Sequence, residues 1–201
     1  MGFTVLFPLL APLGREMGLV ELQITSIIAA SSLTVFLITP IWGRISDRWG
    51  RKRVMLIGLF GFSGGTVLFN SVLTAGLSGA LGGVGLYLTL IGARLMHAAV
   101  MSAAMPASTA YMADITDVQN RTKGMGATGA ATNLGSILGP SLAGLAVVSM
   151  LTPLWTVAAL AFVNGLFVWR YLPEPERHVN VSAPTRRMRF TDRRILPFVV
   201  V

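Results

Sequence analysis

Runs of predominantly apolar residues, separated by short segments in which Lys and Arg gather, repeat along this chain of 201 residues. A helix needs about 20 such residues to cross a hydrocarbon core of ~30 Å. In lipid only helices and closed barrels satisfy every backbone N–H and C=O. The runs fall at 2–13, 22–42, 54–73, 81–112, 124–148 and 153–171. They are unbroken blocks, not one-sided stripes, so the solvent they imply is a bilayer. The expected fold is an all-α membrane protein, a six-transmembrane-helix bundle over 1–172, with a kink at Pro106 in the fourth span. A polar, basic linker follows at 173–194, and 195–201 reads as the start of a seventh span.

Only 12% of the residues are charged and 53% are hydrophobic, against about 25% charged in soluble domains. The net charge of +8 would suit nucleic acid in a soluble chain. Here the cations sit between apolar blocks, so they set topology and meet anionic lipid instead. Arg44, Arg48, Arg51, Lys52 and Arg53 follow the second span, Arg121 and Lys123 the fourth, and a run from Arg170 to Arg194 the sixth. The opposite segments hold only Arg15. By the positive-inside rule, 44–53, 114–123 and 173–194 face the cytoplasm, as in a multi-pass protein of the cell (inner) membrane. There is no Cys, and His97 and His178 lie far apart. No metal site, cofactor, phosphate loop or catalytic triad is legible, so no enzyme activity is expected.

The first span is short: about 12 helical residues reach only ~18 Å. A signal peptide would need a basic start and a small-residue cleavage site. Met1 instead leads straight into apolar sequence, with Pro8, Pro12 and Arg15 beyond. The expectation is a first transmembrane helix cut at its start.

The most specific motif is Gly43-Arg44-Ile45-Ser46-Asp47-Arg48-Trp49-Gly50-Arg51-Lys52-Arg53. Gly43 and Gly50 permit a tight turn and close helix approach. Asp47 can accept hydrogen bonds from an exposed helix N-terminus. The segment resembles the signature between the second and third helices of the major facilitator superfamily, G-x-L-A-D-R-x-G-R-[RK], with Ser46 for Ala and Ile45 for Leu. The resemblance covers nearly the whole chain. It implies the N-terminal half of a twelve-helix transporter built from two inverted three-helix repeats, with the C-terminal half of the same protein as partner.

The resemblance also assigns roles. Gly43, Asp47, Arg48, Gly50, Arg51 and Lys52 would form a conformational-switch loop. Asp114, at the end of the fourth span, would pair with Arg51 and latch the cytoplasmic face. Arg94 is the one permanently charged side chain well inside a span, where burial costs at least about 2.5–3.5 kcal/mol and demands a partner or cavity. It fits the fourth-helix R-x-x-Q-G pattern tied to proton coupling, with His97 in place of Gln and Ala98 in place of Gly. His97 could titrate with transport or stay neutral between helices.

Gly126, Gly135, Gly139, Pro140 and Gly144 resemble the fifth-helix motif G-x8-G-x3-G-P-x2-G-G, with Ala143 as the departure. Small residues four apart let helix backbones touch, and Pro140 removes a helix hydrogen bond. This motif marks drug–proton antiporters within the family. Asn133, Asn164 and Met101, with Met96 and Met105, are weaker candidates to line a substrate cavity. The implied function is proton-coupled efflux of small, often lipophilic compounds, with the proton gradient as energy source. An importer of a polar metabolite, or a non-transporting receptor or assembly factor on the same scaffold, remains the alternative.

Overall fold

The structure, a computed structural model, describes residues 10–117, 119–144 and 151–175, and every regular element among them is helical. Most of the first span (2–9), the end of the fifth (145–148), most of the basic linker (176–194) and the segment 195–201 lie outside the described residues. Helix α1 is described over 10–16. It is followed by α2 (Glu21–Trp49), α3 (Arg51–Leu77), α4 (Gly83–Met101), α5 (Ala104–Ile115), α6 (Arg121–Ala143) and α7 (Thr152–Tyr171).

Helices α2, α3 and α7, and the α4–α5 pair taken together, are long and apolar enough to cross a membrane. Helix α6 has 23 residues, about 35 Å at 1.5 Å per residue. Its Gly, Ala, Thr and Ser content leaves it outside that apolar group. The fifth span is a helix of small residues suited to packing on protein.

Helix α3 is the hub, packed against α2, α4, α5 and α7. Its glycines explain how. Gly58, Gly61 and Gly65 share one face by their spacing of three and four. A methyl group at Gly58 would press into the backbone of Ala104, at Gly61 into Val100, and at Gly65 to 2.6 Å from the His97 ring. A methyl at Gly76 would meet Leu86 at 2.9 Å. These partners descend as the glycines ascend, so α3 and α4–α5 are antiparallel and almost in backbone contact. On another side, the Ser63 hydroxyl donates to Ala158 O of α7 at 2.9 Å, and Phe60 of α3 meets Phe162 of α7 edge-on at 5.5 Å.

Two apolar clusters fill the bundle. Leu10, Leu13, Ile27, Phe69, Leu73, Leu86, Leu90 and Leu154 form one, from α1, α2, α3, α4 and α7. Val54, Met55, Ala103, Ala107 and Tyr111 form the other, nearer the basic end.

The fourth span breaks at Ser102–Ala103, not at Pro106 itself. Pro106 has no N–H to give the carbonyl four residues earlier, and its ring crowds that carbonyl; residue 102 is that position. Ala103 N–H turns instead to Val100 O at 3.1 Å. Ala99 O accepts the Trp42 indole N–H of α2 at 2.7 Å and the Ser102 hydroxyl at 2.8 Å. The proline acts one turn upstream, and a tryptophan from the next helix covers the disturbed backbone.

The second span also runs further than its apolar block. Helix α2 continues through Trp49, and α3 begins at Arg51. The expected loop 44–53 is therefore mostly helix, reduced to a junction at Gly50, whose φ of 107° lies where glycine is strongly favoured.

Candidate functional site: the basic end and the buried Arg–His pair

Arg51 opens α3 and holds three side chains. Its Nε–H donates to Asp114 Oδ2, near the end of α5, at 2.8 Å. Its Nη1–H donates to Asp47 Oδ1, four residues back in the last turn of α2, and to Ser46 Oγ at 3.3 Å. The rigid guanidinium fork suits this branching; an ammonium would not hold it. The Arg51 side chain is 20% exposed, Asp114 38% and Asp47 62%, so the two ion pairs are reachable by water.

Asp47 was expected to accept from a helix N-terminus. That place belongs to Glu174, just after α7, whose Oε1 accepts the Lys52 N–H at 3.3 Å. Lys52 N–H is one of the four amides that an α-helix leaves without an internal partner, and a carboxylate there complements the helix dipole. A methyl group on Gly50 would collide with the Glu174 carboxylate. Tyr111 of α5 donates its hydroxyl to Pro173 O at 3.0 Å, and Arg121 reaches Ala113 O at 3.5 Å. The ends of α2, α3 and α5 and the segment after α7 are thus tied together by polar contacts. Gly43 takes no part in a turn: it lies within α2, and a methyl there meets nothing within 4 Å. Arg48 closes the last turn of α2.

Midway along the bundle, Arg94 and His97 of α4 are 4% and 3% exposed. Arg94 Nη1 lies 2.9 Å from His97 Nδ1. A guanidinium only donates, so Nδ1 accepts and the imidazole is the neutral Nε2–H form. Nε2 then points its hydrogen at Thr66 Oγ1 of α3, a long contact at 3.4 Å. Thr66 in turn donates to Phe62 O at 2.8 Å. The Phe69 ring lies 5.8 Å from the Arg94 guanidinium carbon. The result is a directed hydrogen-bond chain from α4 into α3, ending on a backbone carbonyl.

The fifth-helix glycines divide. Gly135 and Gly139 are buried, whereas Gly126 and Gly144 are exposed with open space at the Cβ position. Helix α6 continues through Pro140. Gly135 borders a cavity of about 440 Å³ shared with Met55, Met105, Thr132 and Asn164. Asn133 is exposed on α6. Met101 is half-buried at the end of α4 and lines none of the described cavities; Met96 and Met105 do. Among the described residues no group of His, Asp and Glu could hold a metal ion.

Sequence reasoning missed the α3 glycine row and the contact of Glu174 with the start of α3. The glycine spacing is visible at 58, 61 and 65, inside a span, and is the signal that could have found the row. No local pattern points Glu174 at an amide 122 residues away.

A family model described as "Major Facilitator Superfamily" matches residues 1–200. The chain is 31% identical over 180 residues to Multidrug resistance protein 1 of Bacillus subtilis, covering 89% of this chain and 43% of that protein. It is 27% identical over 195 residues to Multidrug resistance protein 2 of the same organism, covering 94% and 46%. A triacylglyceride transporter of Mycobacterium tuberculosis is 33% identical over 159 residues, covering 77% and 29%. The chain spans less than half the length of these relatives. The extent of the family match, the membrane-spanning helices and the motif at Gly43–Arg53 agree, and the chain belongs to the Major Facilitator Superfamily.

Proposed function

We propose that these helices form the N-terminal half of an exporter that moves small lipophilic compounds out of the cell by alternating access, driven by the proton gradient. The basic end faces the cytoplasm, the membrane is the cell membrane, and the partner half is the C-terminal half of the same protein. The observation that carries the reading is Arg51 held between Asp47 and Asp114. An accessible ion-pair cluster joining three helix ends is weak enough to open and specific enough to reform. The names of the relatives, multidrug resistance proteins and a triacylglyceride transporter, support a lipophilic cargo. The open faces at Gly126 and Gly144 suit a helix from the other half.

The Arg94–His97–Thr66 chain is the proposed proton-sensitive element of this half. A protonated imidazole cannot accept from Arg94, so gaining a proton breaks that bond and places two cations together. The direct test is efflux of a fluorescent lipophilic cation by the full-length protein in proteoliposomes under an imposed proton gradient. Extrusion that collapses when the gradient is dissipated supports the reading. Substrate movement indifferent to the gradient removes the coupling, and inward accumulation reverses the direction.

A further inference from the structure

Beside the Arg51 cluster lies a second feature, which shares Arg48, Gly50 and Lys52 with the switch motif. An open groove of about 920 Å³ runs between the end of α2, the first turns of α3 and the last turns of α7. Among the described residues, Lys52 and Arg53 bring cations to its lining beside Arg48, and Glu174 is the one acid. That carboxylate is already engaged with the Lys52 amide. The other described lining residues are Gly50, Leu56, Trp49 and Trp169. Both indoles are largely exposed, at 60% and 62%.

Exposed Trp at the ends of membrane-spanning helices marks the level of the lipid headgroups. Cations at that same level attract anionic headgroups, and arginine matches a phosphate with paired N–H donors. Among its described side chains the groove therefore offers basic groups, Lys52 and Arg53 among them, on one side and aromatic and aliphatic surface on the other. A soluble phosphate would satisfy the cations and leave both indoles bare. A lipid satisfies both, with its phosphodiester at the cations and its acyl chains along Leu56 and Trp169. A zwitterionic lipid brings a phosphate but also its own cation, which the basic groups repel. We infer that this groove is a binding site for an anionic glycerophospholipid, one that bridges α2, α3 and α7 at the basic end. The site stands apart from the transported substrate and does not depend on the direction of transport.

The test is native mass spectrometry of this chain in detergent micelles containing equimolar phosphatidylglycerol and phosphatidylcholine. Each interfacial cation near anionic lipid is worth about 1 kcal/mol, so phosphatidylglycerol adducts should exceed phosphatidylcholine adducts by about fivefold or more. Replacing Lys52→Gln and Arg53→Gln together should bring the ratio to within about twofold of parity. Replacing Arg121→Gln and Lys123→Gln, exposed cations at the start of α6, removes the same charge elsewhere and should leave the preference intact. Equal retention of the two lipids by the unaltered chain overturns the site, whatever the variants do. So does an equal loss in both double variants, which would make the preference a general effect of surface charge. Displacement of the lipid by millimolar inorganic phosphate would assign the groove to a soluble anion and overturn the lipid.

Discussion

Arg51 Nε stands 2.8 Å from Asp114 Oδ2, joining the first residue of α3 to the end of α5 across 63 positions of sequence. The pair is partly exposed, and exposed ion pairs contribute about 0.2–1 kcal/mol to stability. A change of that size barely alters folding but shifts a balanced two-state equilibrium by up to about fivefold. Asp114→Asn in the full-length protein should therefore reduce transport several-fold while membrane levels stay within about twofold. Quantitative blotting beside the transport assay checks it. Collapse of the protein level would make the pair a folding contact.

Gly50 and Glu174 should be coupled. Gly50→Ala places a methyl at φ 107° and against the Glu174 carboxylate. The backbone part costs about 1–3 kcal/mol, and the collision adds to it. Glu174→Ala alone removes a helix-terminal carboxylate, worth about 0.3–1 kcal/mol. In a double-mutant cycle by thermal unfolding in detergent, Gly50→Ala should cost less in the Glu174→Ala background than in the parent. Strict additivity would mean the carboxylate sits elsewhere in solution.

The α3 glycines give a matched contrast. Gly58→Ala drives a methyl into the Ala104 backbone, which cannot rotate away; overpacking of this kind costs about 1–3 kcal/mol. Gly64→Ala meets nothing within 4 Å and should be neutral or stabilising by up to about 1 kcal/mol through helix propensity. Melting temperatures of the two variants should move in opposite directions, or only the first should move.

His97→Gln isolates the proposed proton-sensitive element. A glutamine offers an oxygen to Arg94 and an N–H to Thr66, so the neutral bridge between α4 and α3 can persist. It cannot gain a proton. Downhill exchange of substrate should survive and gradient-driven accumulation should fall at least tenfold, the equivalent of about 1.4 kcal/mol of lost coupling. Intact gradient-driven efflux in the variant would take proton coupling away from His97.

Much of this arrangement is legible in sequence because membrane insertion imposes a coarse rule on length and apolarity. The blocks at 54–73 and 153–171 lie inside α3 and α7 for that reason. The rule says nothing of helix that extends into the headgroup region, so the continuation of α2 to Trp49 was read as loop. It is equally blind to geometry created by a missing N–H, and the break at Ser102 therefore lies four residues from the proline that causes it. Arg51 and Asp114 are found through a motif, and Arg94 through the cost of burying its charge. The contact of Glu174 with the start of α3 depends on where the end of α7 lands, which no local pattern encodes. Asn70 of α3 is fully buried, and neither side-chain polar atom has a hydrogen-bond partner among the described residues; its sequence context gave no sign of this.

The junction at Gly50 has one more consequence. Two helices of 29 and 27 residues meet there with no spare chain between them, so their rotational phase is indexed to a single residue. One inserted residue would turn everything beyond it by about 100°. Arg51 would swing away from Asp114, and the glycine row would no longer face α4. A deletion would turn α3 the other way with the same loss. Length at this point is therefore as constrained as any side chain in the bundle, and insertions that most membrane-protein loops absorb should be rejected here.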